Sequence, residues 1–321
     1  MKKLQNFTQP TFANPNPASY AGEFAGQYIA AALLSAKTLD NKYVTIHPNV
    51  KYKEVIQRIA VANIVNDASC DFTTSGSVQL SEAVLTPKEL QVNLELCKQE
   101  FVDSWEALQL GYSAFDEIPK DFNDFLISYV GGKVAQATEV SIWQGSAAVN
   151  GQFAGLVPAL SASAAAGGAG AVVKSAESGS ITSANVITKL NGLVNAIPDT
   201  VYGKEDLVIY APTGVIKAYQ TALGGGATGA NGYNNQLTVG EKPYDFNGIE
   251  IKLSPGMPAN YLIAAQKSNL YFGTGLLSDY NEVRVLDMAN IDGSQNYRII
   301  MRYTAATQFG IGSDIAIHIP N

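Results

Sequence analysis

Residues 121–144, DFNDFLISYVGGKVAQATEVSIWQ, keep one apolar stripe at i, i+3 and i+4. Phe122, Phe125 or Leu126, Tyr129, Val130, Val134, Ala137, Val140 and Trp143 carry it. At 1.5 Å per residue the stretch makes a rod of about 36 Å, the longest helix the chain can build. A stripe of that length has to lie on a second layer, so it forms the backbone of the main domain. Gly131 and Gly132 interrupt it, at about 1 kcal/mol each relative to alanine; close packing against a sheet is the expected reason.

The elements after this rod are mixed. Residues 145–157 turn the chain back, and the small-residue run 160–183 reads as a mobile connector. A helix capped by Thr182 or Ser183 runs to Ile197, with Val186, Leu190, Leu193 or Val194 and Ile197 on one side, and Pro198 stops it. LVIYA at 207–211 is a buried strand, and Pro212 opens a helix through Leu223. Strands follow at 249–253, 261–265, 270–273, 283–287 and 297–303. There is no regular βαβ alternation and no internal repeat, so the fold class is α+β.

What precedes the rod is less like a domain. Two Asn-Pro steps, Asn14-Pro15 and Asn16-Pro17, favour extended backbone. They lead into an amphipathic helical segment over 20–36 with Phe24, Tyr28, Ala31 or Ala32 and Leu34 or Ser35 on or near one face. Such a short helix cannot bury its apolar side alone; it docks on this subunit or on a neighbour. Residues 49–64 are strand-like, a sheet edge or hairpin arm. Phe72 and Val78 flank the turn sequence Thr73, Thr74, Ser75, Gly76 and Ser77. Beyond it, Val92, Leu94 and Leu96 alternate with Gln91, Asn93 and Glu95, giving one covered and one wet face. Residues 98–108 place Phe101, Trp105 and Leu108 at helical spacing. The long, polar-tipped element centred on 72–78 is an arm that reaches beyond its own domain.

Chemistry has little to work with. Cys70 and Cys97 are too far apart in sequence for the close ligand pairs of structural zinc, and His47 and His318 lie at opposite ends. A disulfide requires the strands to turn near Ala83; a turn at 74–76 puts Cys70 opposite Glu82 instead. Free, partly buried thiols are the expected state. GGGATGANG at 224–232 follows a helix and lacks a succeeding Gly-Lys-Ser/Thr, so it reads as a loop tip and not a phosphate cradle. Asp116, Glu117, Asp121 and Asp124 sit around a helix start, where they complement its dipole. No catalytic residue, cofactor site or metal site is assigned.

Charged residues make up 15% of the chain, against about 25% in ordinary soluble proteins, and tyrosines outnumber phenylalanines, 16 to 12. That balance suits a molecule whose outside is largely covered by other protein. The net charge of −7 and the absence of a basic run argue against sequence-specific nucleic-acid binding. The longest apolar stretch, 28–36, is far short of the ~20 residues needed to span a membrane. The start, MKKLQNFTQP, lacks the apolar core of a secretory signal, so synthesis in the cytoplasm is the expectation.

The order of elements resembles the major capsid protein of tailed bacteriophages, the Hong Kong 97-type fold shared with encapsulins and herpesvirus capsid floors. NVKYKEVIQRIAVANIVNDASCDFTTSGSVQLSEAVL is similar to that family's amino-terminal arm and extended loop. The rod ending in WQGSAAVNGQFAGLV is similar to its spine helix. DLVIYAPTGVIKAYQ, IEIKLSPGMPANYLIAAQKSNLYFGTGL and EVRVLD with YRIIMRYTAATQFG look like its axial domain and closing peripheral strands. The resemblance implies an amino-terminal arm (1–49), an extended loop with flanking strands (50–100), a peripheral domain with the spine helix (101–182), an axial domain (183–275) and return strands of the peripheral domain (276–321). It implies a structural protein and no enzyme: a subunit that assembles with itself, as pentamers and hexamers, into an icosahedral virion head around double-stranded DNA in the host bacterial cytoplasm. Portal, scaffolding and decoration proteins are the further partners it implies, with scaffolding a separate protein because no long scaffold segment precedes the arm. Phe72, Thr73, Thr74, Ser75, Gly76, Ser77, Val78, Phe24 and Tyr28 are the expected inter-subunit contacts. An encapsulin-like compartment and a cell-surface structural protein are the alternatives; the second needs an export signal.

Overall fold

The structure, a computed structural model, describes residues 19–21, 36–50, 52–62, 77–97, 120–168, 170–223, 244–275 and 282–320. The amino-terminal third gives β1 (Ser19–Ala21), the one-turn helix α1 (Lys37–Asp40), β2 (Thr45–Pro48), β3 (Glu54–Ala62), β4 (Ser77–Leu85) and β5 (Lys88–Cys97). Three helices then bracket a short strand: α2 (Lys120–Gln144), α3 (Leu156–Ala166), β6 (Val173–Lys174) and α4 (Val186–Asn195). The carboxy-terminal part holds β7 (Leu207–Ala211), α5 (Thr213–Leu223), β8 (Tyr244–Phe246), β9 (Ile249–Leu253), β10 (Leu262–Gln266), β11 (Leu270–Thr274), β12 (Glu282–Asp287), β13 (Asn296–Phe309) and β14 (Ala316–His318).

Two six-stranded sheets and a two-stranded ribbon organise these strands. The first sheet is built on β13, whose fourteen residues pair with β12, β11 and β5, while β1 and β2 extend it at β12 and β11. The second runs β6-β14-β10-β7-β9-β8. Sheet membership cuts across the expected division at residue 275: β11 belongs with β13, and β14 joins the strands from the middle of the chain.

Alternation divides the second sheet cleanly. Leu207, Ile209, Ala211, Leu262, Ala264 and Ala316 pack with α4 and α5, and Val208, Tyr210, Ile263, Ala265 and Ile317 pack with α2 and α3. All five residues of β7 are buried, because helices cover both faces. The α2–α3 side is continuous with the inward face of the first sheet through Tyr297, Ile299, Met301, Tyr303 and Phe272.

The rod expected at 121–144 is α2, one residue longer at its start. Its buried face differs from the expected stripe. Val130, Val134 and Trp143 are inside, but Ala137 is exposed, as are Tyr129 at 59% and Val140 at 40%. Thr138, Glu139 and Ser141 are buried instead. The reason for Glu139 is α1: its carboxylate accepts from the Thr38 backbone N–H at 2.8 Å and the Thr38 hydroxyl at 2.7 Å, and Trp143 Nε1 donates to that hydroxyl at 2.8 Å. Buried polar groups tied in this way are tolerated because each has a partner.

Gly131 is buried, as close packing requires, whereas a Cβ on Gly132 meets nothing within 4 Å. Packing inside the described body therefore does not explain Gly132.

The mobile connector expected at 160–183 is overturned over its first part. Leu156–Ala166 is helix α3, with Leu156, Val157 and Leu160 buried; alanine is the best helix former and three apolar anchors suffice to dock the turn. Val172 and β6 then tie the following chain to β14. The other helices and strands expected after residue 182 match α4, β7, α5 and β9 to β13 within a few residues, except that β13 runs six residues beyond Tyr303. Tyr20 belongs to β1, so the helix expected from residue 20 does not start there. The helix expected at 98–108 and the loop at 224–232 lie outside the described residues.

Candidate assembly surface

β3 and β4 form a ribbon of nine residues each, about 30 Å long. They pair from Glu54↔Leu85 to Ala62↔Ser77, and among the described residues no third strand pairs with either. A two-stranded hairpin is marginal by itself in water, so the two ends of this one need separate accounts.

The root is built into the first sheet. Leu85 is fully buried and packs with Val50 and Ala306. It fills the space over Gly273 of β11: a Cβ there would overlap Leu85 Cδ2 and stand 3.1 Å from its Cγ and 3.3 Å from Val50 Cγ2. A strand-interior glycine is the sequence signal for such close approach, and NLYFGT carries it. Val50 N–H donates to the Thr274 carbonyl at 3.1 Å, and Gln308 Nε2 donates to the Val84 carbonyl at 3.0 Å. Asn49, at φ +65°, makes the turn out of β2 in the left-handed region that asparagine tolerates. His47 Nδ1 lies 2.9 Å from Glu54 Oε1 across that turn, and its ring meets Tyr271 edge-on at 5.2 Å.

Away from the root the ribbon is two-faced by register. Val55↔Val84, Gln57↔Glu82, Ile59↔Leu80 and Val61↔Val78 share one face. Val55 is 46% exposed and Val84 38%, although each is apolar and they stand opposite one another. The other face begins with Leu85 and the buried Ala83 and sits on the body. The exposed Val55–Val84 pair is an apolar cross-strand contact left partly open to solvent at the foot of the ribbon.

Ser77 and Val78 open β4, paired with Ala62 and Val61, so Ser77 belongs to the strand and not to the expected turn. Phe72, Thr73, Thr74, Ser75, Gly76, Phe24 and Tyr28 lie outside the described residues, as does Cys70. β4 continues through Ala83 and β5 pairs with β13, placing the half-buried Cys97 opposite Asn296. The reversal near Ala83 that a Cys70–Cys97 disulfide requires is therefore absent.

The histidines have structural surroundings. His318 is buried in β14, with Nε2 3.1 Å from the Gly179 carbonyl and Nδ1 without a partner; burial pushes its pKa down. Among the described residues neither ring is hydrogen-bonded to a serine, threonine or cysteine, and no three His, Cys, Asp or Glu residues come together as metal ligands. No helix among them is long and apolar enough to cross a membrane.

No protein-family model matches the sequence, and no curated protein does. Solved structures do. The chain is similar to the capsid of a native GTA particle computed with C5 symmetry, with TM-score 0.62, 15% identity, and 89% of each chain covered. It is similar to a structure of Mycobacterium phage Ogopogo, with TM-score 0.57, 11% identity, and 89% of this chain and 92% of the other covered. It is also similar to the satellite phage P4 procapsid that includes the size determination protein Sid, at TM-score 0.53 and 10% identity, over 92% and 99%. Two sheets, one long helix and a projecting ribbon, matched over nearly the whole chain, give this protein the fold of phage capsid proteins.

Proposed function

We propose that this chain is the major capsid subunit of a tailed bacteriophage, assembling with copies of itself into the icosahedral head that encloses double-stranded DNA. The observation that carries the reading is the ribbon β3–β4: anchored at its root by Leu85 and Gly273, paired with no third strand among the described residues, and carrying the exposed apolar pair Val55–Val84 on one face. A second subunit is the natural cover. Residues 72–78 at its far end make the contact, as a Hong Kong 97-type extended loop does, and α2 serves as the spine helix. Phe24 and Tyr28, in the arm at 1–49, make a second contact with a neighbouring subunit.

In this reading residues 50–100 are the extended loop with its flanking strands, 101–182 the peripheral domain, 183–275 the axial domain and 276–321 the return strands. Sheet pairing supports moving β11 to the peripheral side and β14 to the axial side. Pentamers and hexamers form in the host cytoplasm, and portal, scaffolding and decoration proteins complete the virion. The role is structural and not enzymatic. DNA is held without sequence-specific contacts: a chain of net charge −7 neutralises few phosphates and releases a genome that must later leave.

Electron microscopy of the expressed chain tests the reading. Shells are expected from the wild type, whereas deleting residues 73–77 leaves soluble subunits and no shells. Normal particles from the deletion would remove the arm from the assembly.

A further inference from the structure

An Asn-Gly step is labile in water wherever its backbone can move. Glycine has no Cβ to shield its nitrogen, and that nitrogen can close a five-membered ring on the asparagine side chain. The sequence has four such steps. Asn231-Gly232 lies outside the described residues, and the fold separates the other three. Asn150, Asn191 and Asn247 are all exposed, so access of water does not distinguish them. The backbone does. Asn191-Gly192 sits inside α4, where the helical ladder engages the Gly192 N–H and Gly192 packs closely on Glu177 and Ser175. Asn247-Gly248 is the two-residue turn between β8 and β9, closed by the Phe246↔Ile249 pair, with both residues at positive φ. Asn150-Gly151 is tied on either side but not at its centre. Lys88 Nζ donates to the Ala147 and Val149 carbonyls at 2.9 and 3.1 Å, and the Ser146 N–H donates to Gln152 Oε1 at 3.1 Å. One long bond closes the turn, from the Gln152 N–H to the Val149 carbonyl at 3.4 Å. Gly151 stands at φ +77° in open space, and among the described residues no hydrogen bond holds the N–H of Asn150 or Gly151.

We infer that Asn150 is a site of spontaneous deamidation in the folded chain. The Gly151 nitrogen gives its proton to water and attacks Asn150 Cγ. The Cγ–Nδ2 bond breaks, and the side-chain nitrogen takes a proton from water and leaves as ammonia. A second water opens the resulting succinimide at one of its two carbonyls, leaving aspartate or isoaspartate. Water is the only co-reactant, and no oxidation state changes. Opening the turn at Asn150 breaks one weak bond, whereas the same ring at Asn191 breaks a helix and at Asn247 a strand pair, and local opening is easiest where the fewest bonds are lost. The new carboxylate is ionised at neutral pH. It arises in a polar cleft of about 570 Å³ that Asn150 and Gly151 share with Lys88, Glu89 and Arg302, where two cations and one carboxylate already stand. Ageing thus writes one more negative charge onto the wet face of β5 and β13.

Peptide mapping by mass spectrometry tests this. The full chain is kept folded in mildly alkaline buffer made with oxygen-18 water, and conversion at Asn150, Asn191 and Asn247 is followed with time. The incorporated label marks hydrolysis that took place during the incubation. Asn150 is expected to convert at least tenfold faster than either of the others. A smaller lead, or none, would overturn the inference. The same chain in guanidinium chloride separates the fold from the flanking residues. There the three rates are expected to converge to within a few-fold, since each step is Asn-Gly. A tenfold lead of Asn150 that persists in the unfolded chain would assign the lability to local sequence and overturn the structural account.

Discussion

Tyr210, fully buried in β7, donates its hydroxyl to the backbone carbonyl of Tyr43 at 2.6 Å, joining the second sheet to the chain that leaves α1. The two rings meet edge-on at 6.2 Å, and Tyr210 also lies against Trp143 at 5.2 Å. Burial pushes the Tyr210 hydroxyl well above its usual pKa, so it stays a neutral donor. One side chain thus fastens the segment after α1 to both the second sheet and α2.

Tyr210→Phe keeps the ring and removes the donor, leaving the Tyr43 carbonyl without it. Loss of a buried partner costs about 1–3 kcal/mol. Urea unfolding should show a lowered midpoint at unchanged slope. A change below ~0.5 kcal/mol would mean that water replaces the hydroxyl.

Gly273→Ala tests the root of the ribbon. The new methyl overlaps Leu85, and overpacking of a filled site costs about 1–3 kcal/mol. Leu85→Ala alone opens a cavity and costs about 2–5 kcal/mol. The pair should recover at least ~1 kcal/mol relative to the sum, since each change relieves the other. Strict additivity in a double-mutant cycle would dissociate the two residues.

Much of this fold is legible in the sequence because the signals are local. The length of α2, the buried face of α4 with Val186, Leu190 and Leu193, and the unbroken apolar run of β7 each declare themselves within a few residues, whereas the α2 stripe and the cap at Thr182 or Ser183 do not hold: the cap position of α4 is Asn185, with no side-chain capping bond. Glu139 does not declare itself: its burial follows from Thr38, a hundred residues earlier, and no periodicity encodes a partner. Alanine-rich α3 reads as linker because composition hides the three anchors that dock it. β14 and β6 are too short to show an alternation, and only their pairing with β10 and each other makes them strands. The strand β3 is legible from its β-branched density; the glycine that seats the root of the β3–β4 ribbon is visible in NLYFGT, but which side chain it admits is not.

His318 gives the body a pH dependence of definite sign. Its ring is buried with Nδ1 facing no acceptor, and burial holds its pKa below the ordinary value, partly opposed by the Gly179 and Glu177 carbonyls, with Lys189 also disfavouring the charge and the Glu177 carboxylate favouring it. The unfolded chain takes up the proton near pH ~6.5 while the folded one resists. More protons then bind the unfolded state, so stability falls as pH drops below ~6.5, until the folded ring titrates too. Urea midpoints at pH 7.5 and 5.5 should differ more for the wild type than for His318→Gln. Equal differences would place the pH dependence elsewhere.

The ribbon face separates assembly from folding. Val55 and Val84 touch little of their own subunit, so replacing both by serine should change subunit stability by no more than ~0.5 kcal/mol each. On the proposed function the same two side chains become buried against a second copy, and full burial of a valine contributes about 1.5 kcal/mol or more. At about 1.4 kcal/mol per tenfold, losing both raises the protein concentration at which assembly begins by at least tenfold. Light scattering against concentration measures that threshold, with Ile311→Ser as an equally exposed apolar residue off the ribbon. Thresholds that move together for the ribbon variant and for Ile311→Ser would reduce the effect to general solubility, and a ribbon variant that assembles as readily as the wild type would leave the Val55–Val84 face without a partner.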